Sequence, residues 1–197
     1  MKKSIIFICI FIFLIITADI YAEEKKEQIK FEFTEYTSAF VPTMSSVSFN
    51  IPLDVISPLP IAKRFNFDIW YLVYSPYLVP VPFTEIGLEV YFSPVMKEKF
   101  KLDLGVGTGF EFFDGNFSLP LITSFDLKFR LPMHLWLGFS SDLLIWGEGM
   151  GLEAFIPLHF IPEGHWYGGI EPGVAVYLAG SVVVINMKNA VFIGYRL

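Results

Sequence analysis

The chain of 197 residues contains a single cysteine, Cys9, which lies in an apolar run near the N-terminus. If export removes that run, the mature chain has no thiol, so disulfides and thiolate chemistry are excluded. Charge is also scarce, since 17% of the residues are charged and the formal net charge is −6. No basic cluster goes beyond short stretches such as Lys97-Glu98-Lys99, which argues against a nucleic-acid partner.

After residue 22 the sequence also lacks an apolar run that could span a membrane as a helix. The closest, 174–185, has twelve residues and includes Gly180 and Ser181, whereas a helical span needs about 20. Yet the chain is 54% hydrophobic and 18% aromatic, with a mean hydropathy of +0.55, which is high for a water-soluble domain. Such hydrophobicity must be spread by alternation, and closed barrels are the non-helical structures that satisfy every backbone group in lipid.

The N-terminal segment has the pattern of a secretory signal peptide. Met1-Lys2-Lys3 is a short basic region, 5–16 is apolar without a charge, and Ala22 precedes a charged stretch. An uncleaved anchor helix is the alternative, but the apolar run is too short to favour it. The pattern predicts a signal peptide over 1–22, a charged segment over 23–28 and a barrel over 29–197.

Side chains alternate in character, with a period of two, through most of the remaining chain. Between 100 and 113, for example, apolar residues occupy all the even positions except Thr108, and glycines or charged residues occupy nearly all the odd ones. This period places the two sets on opposite faces of a strand. Ten residues at about 3.3 Å each and a tilt near 40° rise about 25 Å, the height of an outer-membrane apolar band. The predicted strands are 29–40, 46–55, 64–74, 84–94, 100–113, 118–131, 134–146, 151–161, 166–178 and 183–197.

A soluble β-sandwich, secreted or periplasmic and acting as a binding protein, also alternates and is one alternative. Its outward face would be densely charged, whereas the polar face here mixes Gly, Ala and Ser with charges of both signs, as expected for a narrow lumen. The favoured fold is an all-β, antiparallel, up-and-down transmembrane β-barrel of ten strands. Eight strands are the alternative if Pro52 to Pro60 is irregular, because proline is poorly tolerated within sheets.

The last eleven residues, 187–197, read Met-Lys-Asn-Ala-Val-Phe-Ile-Gly-Tyr-Arg-Leu and form an alternating strand. This ending resembles the terminal strand of bacterial outer-membrane β-barrels, here of the OmpA/OmpW type, which often close with Gly-Tyr-Arg-Phe. The departure is Leu197, where the family usually has an aromatic residue. The resemblance implies a monomer in the outer membrane of a Gram-negative-type (diderm) bacterium, in contact with its lipids. It also implies that Tyr195 and Leu197 are recognised by the barrel-insertion machinery during assembly.

An even number of strands puts both termini on one side, which by the same resemblance is the periplasm. The connections predicted to face outward are 41–45, 75–83, 114–117, 147–150 and 179–182. Those predicted to face the periplasm are 56–63, 95–99, 132–133 and 162–165. None exceeds nine residues, and the long outer loops that usually carry adhesin or receptor surfaces are lacking.

Charges of both signs are predicted to face the lumen. Because isolated buried charge is costly, opposite charges there are expected to pair and largely fill the space. The charge network is predicted to comprise Lys101, Asp103, Asp126, Lys128, Arg130, Asp142, Glu153 and Glu171. The glycines at 105, 107 and 109 are predicted to make room for bulky neighbours such as Trp136 across the barrel.

These features favour a small barrel that acts as a structural envelope component or as a narrow solute pore. An outer-membrane lipid-modifying enzyme is the alternative from another class. However, His134, His159 and His165 all fall near the predicted periplasmic rim, away from the outer leaflet. The sequence has no Gly-x-Ser-x-Gly motif, phosphate loop or metal-ligand cluster. We therefore predict no enzymatic activity, no cofactor and no metal.

Overall fold

The computed structural model describes residues 28–38, 44–74, 83–113, 116–147 and 149–197. The predicted signal peptide, and nearly all of the predicted charged segment, lie outside these residues. Within them the chain forms twelve strand segments and two short 3-10 turns. No helix in these ranges is long and apolar enough to cross a membrane.

The strand segments are numbered along the chain, and two wall strands consist of two segments each. The segments are β1 (Lys30–Ser38), β2 (Met44–Pro52), β3 (Phe65–Tyr74), β4 (Phe83–Lys97), β5 (Phe100–Phe113), β6 (Asn116–Ser118), β7 (Leu121–Arg130), β8 (Leu135–Trp146), β9 (Gly149–Phe155), β10 (Leu158–Phe160), β11 (Trp166–Ala179) and β12 (Val182–Arg196). The 3-10 turns are Leu53–Val55 and Pro60–Arg64. β6 and β7 both pair with β5, and β9 and β10 both lie between β8 and β11, so the wall has ten strands.

Neighbouring wall strands are antiparallel throughout, and the wall closes between β12 and β1. Lys30 pairs with Arg196 across this closure. We can also go from Lys30 around the wall in the other direction, from each residue to its paired residue on the next strand. This path arrives on β12 at Val184, which is twelve residues away from Arg196. This offset is the shear of a closed barrel, whose strands are typically tilted by about 35–45°. The predicted ten-strand antiparallel barrel is confirmed.

The barrel has two ends, which differ in their connections. β1 begins and β12 ends at one of them, which we call the terminal end; the other is the distal end. The connections after β2, β4, β7 and β10 lie at the terminal end. Of the distal connections, residues 39–43, 75–82, 114–115 and 148 lie outside the described residues.

Two prolines interrupt strands that the alternation predicts as continuous. The breaks lie at 119–120 and 156–157, because Pro120 and Pro157 have no backbone N–H to donate to a neighbouring strand. Their carbonyls are still used. Pro120 O accepts a hydrogen bond from the Thr108 hydroxyl at 2.8 Å, and Pro157 O accepts one from the Gly138 N–H at 2.9 Å. Both predicted strands are therefore present but broken.

The connection 53–64 differs from the sequence prediction in length and in where it begins. β2 ends at Pro52 rather than at residue 55, so the connection has twelve residues instead of the predicted maximum of nine. Its last residue, Arg64, donates from Nη1 to the Pro94 carbonyl at 2.9 Å, next to a bulge in β4. The bulge lets β4 continue to Lys97, beyond the predicted strand end at residue 94.

The outer and inner faces of the wall differ in polarity as the alternation predicts. The outer face exposes large apolar side chains, among them Phe33, Leu88, Phe110, Phe139 and Ile193. Soluble monomers rarely expose a continuous apolar surface of this extent, and the closed wall has no second sheet to cover it. The β-sandwich alternative is therefore wrong. Glu35 is an acidic exception, exposed on the outer face next to Val191.

Candidate functional site

The inward face of the barrel carries most of the charge of the described residues. Ten carboxylates point inward, from Glu32, Asp68, Glu85, Glu89, Asp103, Glu111, Asp126, Asp142, Glu153 and Glu171. Six cationic side chains share that face, from Lys30, Lys101, Lys128, Arg130, Lys188 and Arg196. All eight residues of the predicted charge network are among these groups, and the lumen carries an excess of negative charge.

The two signs are concentrated at different levels of the lumen. Five of the six cations lie close to the terminal end, since Lys30 opens β1, Lys101 is second in β5, Lys128 and Arg130 are near the end of β7, and Arg196 ends β12. Lys188 is the one lysine or arginine in the described part of the distal half. The sequence of the distal connections contains no lysine or arginine either. The alternation alone does not reveal this segregation.

Charged residues that face each other across neighbouring strands carry the same sign. The acidic pairs are Asp68–Glu89, Glu85–Glu111, Asp103–Asp126 and Asp142–Glu153. The basic pairs are Lys101–Lys128 and Lys30–Arg196. Like charges directly opposite each other destabilise a strand pair, because their Cβ atoms are only about 5 Å apart. The repulsion within each acidic pair must therefore be reduced by side chains other than the residue directly opposite.

Near the terminal end, each aspartate of the acidic pair is neutralised by a lysine on its own strand. The Lys101 ammonium lies 3.5 Å from the Asp103 carboxylate on β5, and the Lys128 ammonium lies 3.4 Å from Asp126 on β7. The four side chains form one cluster, which we call the terminal cluster. Its formal charge is zero, because one basic pair sits next to one acidic pair.

In the distal half one lysine pairs with one of two opposed carboxylates. Lys188 Nζ is 2.5 Å from Glu153 Oε2, and both side chains are nearly buried, at 12% and 8% exposure. The same ammonium lies over the Tyr36 ring, 5.0 Å from its centroid. Among the described residues no cation lies within salt-bridge distance of Asp142, which faces Glu153.

Four lumen glutamates accept a hydrogen bond from an aromatic side chain. Trp70 Nε1 donates to Glu85 at 3.1 Å, the Tyr91 hydroxyl to Glu89 at 3.0 Å, the Tyr167 hydroxyl to Glu32 at 2.7 Å, and the Tyr177 hydroxyl to Glu153. These donors are uncharged. They satisfy a carboxylate oxygen and leave the charge of the carboxylate in the lumen.

Each of these four rings lies over a glycine directly opposite it on the neighbouring strand. The couples are Trp70–Gly87, Tyr91–Gly105, Tyr167–Gly194 and Tyr177–Gly151. A Cβ at any of the four glycines would come within 2.0 to 2.9 Å of the ring. Only glycine therefore lets the rings lie flat along the wall, and the space near the barrel axis is left to longer polar side chains.

The glycines at 105, 107 and 109 make room for bulky side chains, as predicted, but for different ones. A Cβ at Gly105 would meet Glu89 and Tyr91, one at Gly107 would meet Glu89, and one at Gly109 would meet Glu85. These neighbours belong to the adjacent strand β4. The prediction that Trp136 across the barrel is the partner is wrong, because side chains of the adjacent strand fill the space over these glycines.

Three inward side chains in the terminal half of the barrel keep part of their surface exposed. Glu171 on β11 contacts His159, which lies diagonally to it on β10, and keeps 26% exposure of its side chain. Asp126 and Lys128 keep 15% and 26%. Since these side chains point away from the lipid face, their exposure is to the interior. The lumen is therefore polar, with Glu89, Asp103 and Glu153 buried at 5–6% exposure, and the largely filled lumen stays a prediction.

The three histidines lie at the terminal end, where the sequence predicts them. His159 Nε2 donates to Glu171 Oε1 at 2.8 Å, and His165 Nδ1 donates to the Arg196 carbonyl at 2.9 Å. His134 occupies the turn between β7 and β8 with a φ of 60°. Within the described ranges, no three His, Cys, Asp or Glu side chains are arranged to hold a metal ion.

Tyr195 and Leu197 lie at the terminal rim, where they help to close the barrel. The Tyr195 ring stacks on His165 at 5.3 Å between centroids and meets Trp166 edge-on at 4.9 Å. The Leu197 N–H donates to the Ile29 carbonyl at 2.9 Å. These contacts join the last strand to the first and to β11. The role of Tyr195 and Leu197 as an insertion signal stays a prediction.

Several solved barrels resemble this structure at very low sequence identity. A KdgM porin is 8% identical with a TM-score of 0.48, and the match covers 85% of this chain and 99% of that chain. A KdgM porin in complex with disordered oligogalacturonate is 9% identical with a TM-score of 0.45, with coverage of 85% and 99%. A bacterial polysaccharide outer membrane secretin is 8% identical with a TM-score of 0.50, with coverage of 82% and 57%.

The likeness to the secretin describes the barrel fold alone, because the identity is so low and this chain spans little more than half of that protein. No protein-family model and no curated protein matches the chain.

Proposed function

We propose that the protein is a narrow pore in the outer membrane of a diderm bacterium, with its terminal end in the periplasm. The observation that carries this proposal is a closed barrel with an apolar outer face and a polar, charged lumen, in which Glu171 and Asp126 stay partly exposed. A closed barrel leaves no unpaired strand edge in lipid. The resemblance of 187–197 to the last strand of outer-membrane barrels supports the location. The closer assignment to the OmpA/OmpW type, and the monomeric state, stay predictions.

The strand number and the glycine positions support a narrow pore. Barrels of about 8 strands are filled by side chains, whereas porins of about 16–18 strands enclose wide aqueous channels. Ten strands lie closer to the filled case, but the rings of Trp70, Tyr91, Tyr167 and Tyr177 lie against the wall. We therefore expect inorganic ions and small polar solutes to pass and larger solutes to be excluded.

A structural envelope protein without transport is the second candidate. The observation that favours it is the terminal cluster of Lys101, Asp103, Asp126 and Lys128, whose ion pairs narrow the lumen near the terminal end. The geometry gives no support to the lipid-enzyme alternative, because His159 and His165 are engaged with Glu171 and a backbone carbonyl at the terminal end.

Planar-bilayer recording distinguishes the two candidates. The protein is first recovered from the outer-membrane fraction and checked as a folded barrel by heat-dependent gel mobility and far-UV dichroism. We expect discrete conductance steps that are much smaller than those of a large porin recorded under the same conditions. A folded barrel that stays silent would contradict the pore and favour the structural role.

A further inference from the structure

We infer that the pore passes small cations in preference to anions, and that the opposed carboxylates Asp68 and Glu89 set this preference. The inference rests on the proposed pore function and names the class of solute. Ten carboxylates and six cations face the lumen. Since the terminal cluster is neutral in itself, the excess negative charge lies deeper in the barrel.

The Asp68–Glu89 pair lacks the compensation that the terminal cluster has. The two residues face each other on β3 and β4, and Glu89 is only 5% exposed. One Glu89 oxygen accepts the Tyr91 hydroxyl at 3.0 Å. The other oxygen, Glu89 Oε1, has the Ser124 hydroxyl nearby but no hydrogen bond of normal geometry, and Asp68 Oδ1 accepts none from the described residues. Two opposed carboxyl groups with unsatisfied oxygens repel each other when both are charged, and a nearby cation relieves that repulsion.

The charges around this pair differ on its two sides. Glu32 acts on Asp68 electrostatically as a further negative charge, whereas Lys30 and Lys128 act on it from the terminal side. Asp126 adds negative charge near Glu89. Lys128 is itself held by Asp126 at 3.4 Å, so its charge is already shared with a carboxylate.

The like-charged pair Lys30–Arg196 stands at the terminal mouth and would repel cations there. Charges that face bulk solvent are screened over about 10 Å at 0.1 M salt, whereas buried charges are screened much less. The Arg196 guanidinium also lies over the Tyr167 ring, 5.4 Å from its centroid. We therefore expect the buried acidic middle of the lumen, rather than the mouth, to decide which ions pass.

The geometry at Asp68 and Glu89 favours the passage of a cation over its tight binding. No group of three metal-ligating side chains exists within the described residues, and two carboxylates alone make a poor chelate for a divalent ion. A lumen lined by one sign of charge instead raises the local concentration of counter-ions, by about tenfold or more. Potassium or sodium ions would pass the pair without being retained.

The test is the reversal potential of the conducting protein in a KCl gradient. For the unchanged chain we expect a permeability ratio of potassium to chloride of about ten, the lower end of such focusing effects. The double variant Asp68→Asn, Glu89→Gln should bring the ratio close to one while conductance steps persist. Glu35→Gln is the matched control, because it makes the same change on the outer face, and it should leave the ratio unaltered.

Each other outcome overturns a different statement. Clear conductance steps with a chloride preference, or with no preference, would overturn the cation inference and leave the pore proposal standing. An unaltered ratio in the double variant would remove Asp68 and Glu89 from the role. If the double variant does not fold by gel mobility, Glu89→Gln alone is measured, since its amide oxygen can still accept the Tyr91 hydrogen bond. Silence of the folded, unchanged barrel would contradict the pore function itself.

Discussion

At the terminal end of the lumen, an acidic cross-strand pair lies next to a basic one, whereas in the distal half a single lysine pairs with one carboxylate of the two acidic pairs. Lys101 and Lys128 each lie within 3.5 Å of the neighbouring aspartate on the same strand. In the distal half, Lys188 reaches Glu153, while Glu85 and Glu111 are held by Trp70 and Ser118. The two regions face the same repulsion between like charges and reduce it in different ways.

The difference shows that a hydrogen bond to a carboxylate and the neutralisation of its charge are two separate effects. A lysine satisfies a carboxylate oxygen and cancels its charge, as in the terminal cluster. An indole N–H or a hydroxyl satisfies the oxygen and leaves the charge in place. Aromatic donors that lie on glycines, such as Tyr91 on Gly105, thereby hold carboxylates in fixed positions without removing their field. The distal and middle lumen therefore hold an excess of acidic side chains that the terminal cluster does not have.

The largest effect should come from removing the lysine of the distal half. Lys188→Met leaves Glu153 and Asp142 opposed and nearly buried without a cation. Breaking a buried ion pair on one side costs about 3–5 kcal/mol of the free energy of unfolding. Urea unfolding in lipid vesicles measures the loss. The double variant Lys188→Met, Glu153→Gln should recover most of it, and a loss below about 1 kcal/mol for Lys188→Met alone would show that the distal half does not depend on this lysine.

A smaller but more local effect should follow from filling the space under a ring. Gly87→Ala places a Cβ 2.0 Å from the Trp70 ring, so the indole must leave the wall and give up its hydrogen bond to Glu85. Such overpacking costs about 1–3 kcal/mol of the free energy of unfolding, and the displaced ring should lower the conductance. Gly164→Ala is the matched control, because nothing lies within 4 Å of a Cβ at that turn. Equal conductance in both variants would mean that the ring does not border the water path.

Much of the wall could be predicted from the sequence, because side-chain alternation depends on local geometry alone. The ten strands follow from it, and their errors have local causes. Pro120 and Pro157 break two strands, and the 53–64 connection begins earlier than predicted because the chain turns at Pro52. A bulge beside Pro94 carries β4 on to Lys97, past its predicted end.

Much less of the lumen site could be predicted from the sequence, because the residues of one strand do not show which residues of the next strand they pair with. The charged residues could be assigned to the inward face, yet nothing local shows that Asp68 faces Glu89 or that Lys101 faces Lys128. The same lack of register explains the wrong partner for the glycines. Gly105 has Tyr91 beside it only because β4 and β5 pair with that offset. The glycine spacing was the available signal, and it indicated close packing without identifying the ring.

The smallest effect should come from the exposed rim of the terminal end. Arg130 Nη1 lies 3.8 Å from Glu98 Oε1, with side-chain exposures of 36% and 80%, and both residues line a cleft at this rim. Exposed pairs of this kind contribute about 0–1 kcal/mol and weaken with salt. Arg130→Gln should therefore change the free energy of unfolding far less than Lys188→Met does, and the difference should shrink further at 1 M salt. If the two variants lost equal stability, burial would not be what separates the two regions, and the repulsion between opposed carboxylates would have to be relieved in the same way throughout the lumen.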